Sequence, residues 1–256
     1  MYTLMIRSVI VVAALLLGAC APPPTAESAA ESRRGAELRR RLHAESSSMQ
    51  RLDYRQVREA LKYTDEDPAN PDNVILFYSG WSVPKSRFGG HPDQWNREHV
   101  WAKGRGRFGT EPGPGTDLHH IRATDVSVNA RRGHLDFDDG GRPYTDPNGP
   151  TACRVDFDSW APRPAVRGDV ARMLFYMAIR YEGSSGELDL KLVEKIDPKR
   201  LRAQHGKLST LLRWHAEDPP DDVERRRHER IHERQGNRNP FIDHPEFAAQ
   251  VWSGEK

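Results

Sequence analysis

Apolar side chains recur at helical spacing in several segments of this chain. Tyr54, Val57 and Leu61 mark one such segment, and Val170 and Leu174 belong to another. Positions three or four residues apart share one face of a helix, so each segment predicts a helix that buries one side. The last segment begins with Pro and Asp and stops before a glycine, which are typical helix boundaries. The pattern predicts helices over residues 53–63, 168–182, 205–215 and 220–235.

The segments between these helices are shorter and less regular. Residues 74–80 form an apolar run that ends at a glycine, which predicts a buried strand. Residues 95–101 have a strand-like start, whereas residues 136–164 are acidic, contain Gly and Pro, and predict mostly loop. No repeat or internal linker interrupts residues 45–256. The fold class is therefore α+β, a mixed α/β single domain with helices and long loops around a modest core.

The N-terminus is typical of an exported protein. Arg7 precedes an apolar run from Val9 to Leu17, which is too short to span a bilayer and ends in small residues before Cys20. Leu-Gly-Ala-Cys resembles the bacterial lipobox, which predicts a signal peptide over residues 1–19 and a lipid anchor on Cys20. The protein is then an outer-membrane lipoprotein; the alternative is an ordinary signal and a soluble periplasmic or secreted protein. Residues 20–44 are rich in Pro, Ala, Ser and Glu and predict a flexible tether, with the folded domain over 45–256.

Composition narrows the possible partners. The 256 residues carry 39 Lys+Arg against 37 Asp+Glu, a net charge of +2, so any polyanion must be bound by a local patch. Six Trp, seven Tyr and eight Phe provide enough core material to argue against a disordered chain. Two cysteines cannot form a disulfide framework, and with Cys20 lipidated Cys153 stays a spare thiol.

Candidate chemistry begins with Glu98 and His99, which stand side by side among aromatic and apolar residues. A carboxylate beside a histidine suits a metal ligand next to a general base. Neighbours on an ideal strand point to opposite faces, so both side chains reach one site only where the strand ends or bulges.

A second polar cluster follows at Asp117, His119 and His120, and Asn129 comes nine residues later. The alternation of this stretch predicts that one histidine faces inward and the other outward. If the two segments are strands followed by a short helix, carboxylate and amide oxygens converge on one point. Such oxygens suit a hard cation such as Mg²⁺ rather than Zn²⁺. Nearby arginines suit phosphates because the guanidinium fork matches them. These arginines are Arg97, Arg105, Arg107, Arg122, Arg131 and Arg132.

A competing pattern lies at residues 228–232, where His228, Glu229 and His232 form a literal H-E-x-x-H, the zinc-protease signature. The surrounding helix is rich in Arg and Glu throughout, and no third ligand follows it. A solvated helix packed through Val223, Arg227 and Ile231 is the better interpretation, with a metalloprotease as the alternative.

Several blocks together resemble the bacterial endonuclease I family of secreted or periplasmic nucleases. The resemblance runs from about residue 52 to 252, and the blocks occur in the order that the family has. The blocks are FYSG, WNREHVW, TDLHHIR, SVNARRGH, GDVARMLFYMAIRY and QGNRNPFIDHPEF.

This resemblance implies a ββα-metal core and a role for each matched residue. Glu98 and Asn129 match the ligands of a single Mg²⁺, with Mn²⁺ or Ca²⁺ as alternatives, and His99 matches the general base. Asp117 and His119 fall in a segment that holds the geometry of the site. Arg105 or Arg107 corresponds to an arginine that stabilises the transition state. The remaining arginines that we expect to contact substrate are Arg97, Arg122, Arg131 and Arg132.

The activity implied by the resemblance is sequence-non-specific hydrolysis of DNA, and of RNA as a further substrate, to 5′-phosphate products by a monomer. A different class stays open, namely a surface-anchored nucleic-acid-binding protein that has lost catalysis. The joint presence of Glu98, His99 and Asn129 argues against that alternative, because binding alone needs none of them.

Overall fold

The computed structural model describes residues 26–184, 186–195 and 203–253. The predicted signal peptide, Cys20 and residues 20–25 of the predicted tether lie outside this range. Among the described residues, no helix combines the length and the apolar character that a membrane crossing requires.

Helices and small sheets alternate along the chain, which confirms the α+β class. The helices are α1 (Ala26–Ser47), α2 (Tyr54–Thr64), α3 (Lys103–Gly106), α4 (Val126–Arg132), α5 (Arg167–Arg180), α6 (Leu208–Glu217), α7 (Asp222–Gln235), α8 (Pro240–Asp243) and α9 (Phe247–Val251). The strands are β1 (Glu66–Asp67), β2 (Asn70–Ile75), β3 (Ser82–Pro84), β4 (Trp95–His99), β5 (Ile121–Asp125), β6 (Asp136–Phe137), β7 (Arg142–Asp146), β8 (Gly149–Val155), β9 (Ser159–Ala161), β10 (Lys191–Leu192) and β11 (Gln204–His205).

The strands form four small sheets in the described part of the chain. They have the orders β1-β2-β3, β4-β5, β6-β9-β8-β7 and β10-β11. The antiparallel pair β4-β5 is followed directly by α4, whose first turn is capped by the carboxylate of Asp125 through the backbone N–H groups of Ser127 and Val128. This unit has the ββα order that the resemblance implies.

The ββα unit lies between two apolar clusters. The larger cluster surrounds α5, which is buried along almost its whole length, and it includes Val100 and Trp101 immediately after β4. The smaller cluster joins α2, β2 and α7 and contains Trp95 and Ile121 of the paired strands. Packing on both sides therefore fixes the end of β4 between two rigid cores.

Two predictions about loops are wrong. Residues 136–164 contain the four-stranded sheet, because Thr151, Cys153 and Val155 alternate inward along β8 in spite of the Gly- and Pro-rich turns around them. The flexible tether is wrong for residues 26–44, which belong to α1. Leu42 of α1 is fully buried, and Gly35 lies so close to α9 that a Cβ there would stand 2.7 Å from the Gln250 carbonyl oxygen. The folded part therefore starts before residue 45.

The four predicted helices are present as α2, α5, α6 and α7, each with ends within a few residues of the prediction. Helix α7 starts after the Asp221 cap and ends at Gly236, which has the left-handed conformation that favours glycine. Val223 is a local exception, because its side chain is exposed rather than packed.

Candidate active site

Strand β4 ends at His99, and because it ends there the side chains of Glu98 and His99 both line one cleft. The cleft has a volume of about 490 Å³, and its lining includes both side chains together with Asn129 of α4. The convergence of the carboxylate, the imidazole and the amide that the sequence predicts is present in the structure.

Glu98 is held in place from one side. Its Oε1 atom accepts a hydrogen bond from the Tyr78 hydroxyl at 2.7 Å and another from Nη1 of Arg132 at 3.1 Å. Burial raises the pKa of this carboxyl, and the positive charge of Arg132 opposes that effect. Both of these hydrogen bonds use Oε1, and no described residue donates to Oε2, so one carboxylate oxygen is left for a ligand in the cleft.

Arg132 is the first link of a buried chain behind Glu98. Its Nη2 lies 3.1 Å from Nε2 of His205, and Nδ1 of His205 lies 3.0 Å from Asp136 Oδ1. A carboxylate only accepts, so Nδ1 of His205 carries the proton and Nε2 accepts from Arg132. Arg105 closes the chain through a 2.7 Å bond from Nη2 to Asp136 Oδ2.

Two arginine predictions change as a result. Arg132 is fully buried and also donates to the carbonyl oxygens of His99 and Val100, so its predicted contact with substrate is wrong. It positions the metal-ligand candidate instead. Arg105 is bound to Asp136 and to the His134 carbonyl oxygen, so its guanidinium is already engaged.

His99 is arranged to act as a base. Its Nε2 lies 3.0 Å from the carbonyl oxygen of Gly115. A carbonyl can only accept, so Nε2 carries the proton and Nδ1 keeps its lone pair. Burial, reinforced by the neighbouring His120, lowers the pKa of His99 to about 3. The imidazole is therefore neutral near pH 7, the state that a general base requires.

The neighbour of His99 is His120 rather than the predicted His119. The rings of His99 and His120 are 5.6 Å apart, and Nε2 of His120 donates to the Pro114 carbonyl oxygen at 2.7 Å. Adjacent carbonyls of one turn, those of Pro114 and Gly115, thus hold both histidines. His119 contacts Tyr176 and His228 instead. Both histidines are buried, so the prediction of one inward and one outward side chain is wrong.

Asp117 ties three parts of the chain together. Its Oδ2 accepts from the hydroxyls of Tyr176 and Tyr181 at 2.8 and 3.0 Å, and its Oδ1 accepts from Gln235 Nε2 at 2.8 Å. Burial acts to raise the pKa of Asp117, but His119, His120 and the hydrogen bonds from Gln235 and the His119 backbone N–H hold it below its usual range. Asp117 therefore fastens the segment that carries His120 to α5 and α7.

Asn129 presents its amide in a defined orientation. Its Nδ2 donates to Oδ1 of Asn96 at 2.7 Å and to the Arg97 carbonyl oxygen at 3.3 Å. Both donor contacts lie on β4, so Oδ1 is the atom left for the cleft. Glu98 and Asn129 together offer one charged and one neutral oxygen. No group of three or more His, Cys, Asp and Glu suited to a metal occurs in the described part of the chain.

The remaining predicted arginines lie in different environments. Arg97 lines the cleft, and its guanidinium carbon stands 3.5 Å from the centre of the Tyr54 ring. Arg107 and Arg131 are exposed. Arg122 is buried and pairs with Asp65 at 2.8 Å and with Asp169 at 3.5 Å, so its predicted contact with substrate is wrong.

Arg122 belongs to a set of buried charges that we call the buried ion network. Arg227 shares Asp65 with Arg122 at 2.8 Å, and Arg172 pairs with Asp169 and Glu224 at 3.4 and 2.6 Å. The network joins β5 to α5 and α7. Its members are Asp65, Arg122, Asp169, Arg172, Glu224 and Arg227.

Several residues of the site are missing from the sequence-based prediction. Tyr78 lies in the matched FYSG block, so a signal for it exists, although its contact with Glu98 does not follow from the pattern. His205 and Gly115 stand in unremarkable segments and are brought in by the fold alone. Lys103 also lines the cleft, and it forms no ion pair with any residue that the structure describes.

The H-E-x-x-H pattern does not form a metal site. His228 is buried with Nε2 3.2 Å from Asp243, whereas His232 is exposed. Glu229 pairs with Arg238 on the surface. The two histidines thus face different surroundings, and the protease alternative is not supported.

Comparison with known proteins identifies the family to which the chain belongs. The family described as Endonuclease I matches residues 34–246. Extracellular ribonucleases of Bacillus amyloliquefaciens and of Bacillus subtilis (strain 168) are each 54% identical over 224 residues, which cover 87% of this chain and 76% of either protein. An extracellular deoxyribonuclease of Aeromonas hydrophila is 32% identical over 131 residues, covering 50% of this chain and 48% of that protein. Because the family match spans most of the chain, this protein is a member of the Endonuclease I family and a hydrolytic nuclease.

Proposed function

We propose that this protein is a metal-dependent, sequence-tolerant endonuclease that hydrolyses phosphodiester bonds of RNA and DNA. One observation carries the proposal. Glu98, His99 and Asn129 are each fixed from behind by hydrogen bonds, and each leaves one oxygen or nitrogen lone pair for the same cleft.

The donor set fits a hard divalent cation. Glu98 and Asn129 would hold the ion through oxygen atoms, and water molecules would complete its coordination. When bound, the ion supplies positive charge beside the scissile phosphate and the leaving oxygen. We infer Mg²⁺ as the physiological ion, and Mn²⁺ and Ca²⁺ share the preference for oxygen ligands.

The chemistry follows from the tautomer of His99. Its Nδ1 accepts a proton from a water molecule as the water oxygen attacks phosphorus in line with the leaving group. The new P–O bond forms while the bond between phosphorus and the 3′-oxygen breaks. The 3′-oxygen then takes up a proton from solvent, which leaves a 3′-hydroxyl and a 5′-phosphate.

Arg97 and Lys103 line the cleft and provide positive charge near the substrate phosphates. Contacts to the backbone carry no information about base sequence, so binding tolerates many sequences and weakens with salt. The near-zero net charge of the chain is compatible with this role, because the basic groups are local.

RNA is a substrate in this proposal because the relatives with 54% identity are named ribonucleases. DNA is retained because relatives named deoxyribonucleases match half of the chain. The mechanism is compatible with both, since water rather than the 2′-hydroxyl is the nucleophile.

We infer that the protein acts outside the cytoplasm, since the relatives are named extracellular or periplasmic, and we propose that it acts as a monomer. Anchoring through a lipidated Cys20 is part of the proposal. Replacing this residue (Cys20→Ser) should move the protein from the membrane fraction to the soluble fraction, and an unchanged distribution would argue for a soluble protein.

The test of the function is digestion of RNA and DNA with Mg²⁺ or with EDTA. His99→Ala should lower the cleavage rate by about 10²- to 10⁴-fold, because the general base is lost. His232→Ala is the matched control, since this histidine is exposed on α7 and should leave the rate unchanged. Retained cleavage by His99→Ala would contradict the assignment of the base. Wild-type protein that retards DNA without cleaving it would favour the inactive binding protein.

A further inference from the structure

We propose that a groove between α2 and α7 binds the single-stranded part of a nucleic acid that extends beyond the catalytic cleft. This inference rests on the proposed nuclease function and adds a substrate class, namely single strands long enough to reach the groove. The groove has a volume of about 580 Å³ and is lined by the first half of α2 and the end of α7.

Basic side chains of this groove are open to an anionic ligand. Arg55 and Arg234 are exposed and form no ion pair within the described part of the chain, and the Arg234 guanidinium lies over the Tyr63 ring at 4.9 Å. The two acidic residues of the lining are engaged. Glu59 pairs with Arg58 and Lys62, and Glu233 accepts from the Tyr63 hydroxyl at 2.7 Å. The groove therefore has the guanidinium group of Arg55 on its α2 wall and that of Arg234 on its α7 wall. Both groups suit the phosphates of a nucleic-acid backbone.

A stack of rings and guanidinium groups joins the groove to the cleft. Arg97 lies over the Tyr54 ring at 3.5 Å and over the Phe88 ring at 5.1 Å. Arg58 lies over the same Phe88 ring at 5.4 Å. Tyr54 and Arg97 line the cleft, and Arg58 lines the groove, so the stack forms one continuous path between them.

The chemistry of this path selects unpaired bases. Tyr54, Phe88, Arg58 and Arg97 are each half-buried, so part of each side chain is accessible to solvent. Bases stack on aromatic rings and on guanidinium planes without regard to sequence, but only when they are not hidden inside a duplex. Phosphates on either side of a stacked base would then contact Arg55 and Arg234.

The test uses His99→Ala protein in EDTA, so that binding is measured without cleavage. The probe is a labelled single strand of about 12 nucleotides. Adding Arg55→Glu and Arg234→Glu should weaken binding roughly tenfold and lower the slope of log K against log salt by about 1.4, since each lost phosphate contact accounts for about 0.7. The matched control carries Arg33→Glu and Arg40→Glu, the same change of charge on exposed positions of α1.

A second measurement separates this inference from the catalytic proposal. In the active protein, the groove variant should cleave a dinucleotide at the wild-type rate, because such a substrate does not reach the groove. A duplex of the same sequence should bind His99→Ala protein more weakly than the single strand does. Equal affinity and equal salt slope for the groove and control variants would overturn the inference, as would duplex binding as tight as single-strand binding. Cleavage that persists in His99→Ala would instead overturn the proposed function.

Discussion

The cleft that we propose as the active site and the buried ion network both contain carboxylates paired with arginines, but the two regions serve different purposes. In the network, Asp65 pairs with both Arg122 and Arg227, and all three side chains are buried inside the protein. In the cleft, Glu98 is equally buried and also bound by an arginine, but its Oε2 has no partner among the described residues. Burial and an arginine partner are common to both regions. The difference is the hydrogen-bonding capacity that each region leaves unused.

This difference explains why arginines near the motifs cannot be assigned by type alone. Arg122 lies directly opposite Glu98 in the β4-β5 register, yet its side chain enters the network. Arg97, one residue before Glu98, reaches the cleft. A charged group whose partners are all buried is costly to remove, whereas a charged group with an unused hydrogen-bonding atom in a cleft can act on a ligand.

The largest effect that separates the two regions concerns Arg227. Its guanidinium bonds Asp65 at 2.8 Å and the carbonyl oxygens of Leu118 and Ile121 at 3.1 and 2.7 Å. Replacing it (Arg227→Met) should lower the free energy of unfolding by about 3 to 5 kcal/mol, because buried Asp65 keeps only one of its two arginines and two buried carbonyl oxygens lose their donor. Urea unfolding measures the loss, and the kcat of the folded fraction should stay at the wild-type value.

The control for this variant is Arg225→Met, an exposed position on the same helix, which should change stability by less than about 0.5 kcal/mol. A fall in kcat with unchanged stability in Arg227→Met would show that the network takes part in catalysis, contrary to the comparison.

A smaller effect is expected at Asp117, which belongs to neither region but fastens the segment between them. Asp117→Asn should cost about 2 to 3 kcal/mol at neutral pH, since an ionised acceptor of several hydrogen bonds is lost. The pKa of Asp117 is lowered in the folded protein, so this advantage of the wild type is complete above the unfolded value of about 3.9. It is lost as the pH falls through the lower folded pKa.

Urea unfolding of both proteins over a range of pH measures this difference, with the exposed Asp72→Asn as the control. A stability difference that persists unchanged in strong acid would mean that the charge of Asp117 is not the cause.

The smallest effect is expected at His205, which acts on the cleft through Arg132. His205→Ala removes one of the two acceptors of Arg132 Nη2 and should weaken divalent-cation binding about 10- to 100-fold, because Glu98 is then less firmly oriented. Calorimetric titration with Mn²⁺ reads this without activity. His215→Ala is the matched control, since this histidine also lies beside a buried arginine, but that arginine is Arg172 of the buried ion network. Equal cation affinity in the two variants would show that the chain behind Glu98 has no positioning role.

The sequence predicts the parts of this molecule that depend on local pattern. Helix α7 follows from its Asp cap and Gly236, and α5 follows from its apolar spacing. Glu98 and His99 can line one cleft because β4 ends at His99. The alternation of side chains along a strand predicts this requirement from the sequence.

The rest depends on contacts between distant segments. His205 contacts Arg132, which lies 73 positions away in the sequence. His119 and His120 are both buried, and they differ in the residues that they contact, which the sequence pattern does not predict. The sequence does not predict α1 as part of the fold, because the composition of this segment is that of a linker. Its contacts with α5 and α9 make it part of the core. Tertiary packing decided each of these cases.

The ends of the RNA fragments test the central claim most directly, namely that His99 activates water against phosphorus. Digestion of a defined RNA by the wild-type protein with Mg²⁺, followed by mass analysis of the fragments, identifies the bond that breaks. We expect a 5′-phosphate and a 3′-hydroxyl at every cut, which are the same ends that we expect on DNA fragments. Fragments that carry 2′,3′-cyclic phosphates and 5′-hydroxyls would contradict it, because they would show that the 2′-hydroxyl of the substrate is the nucleophile.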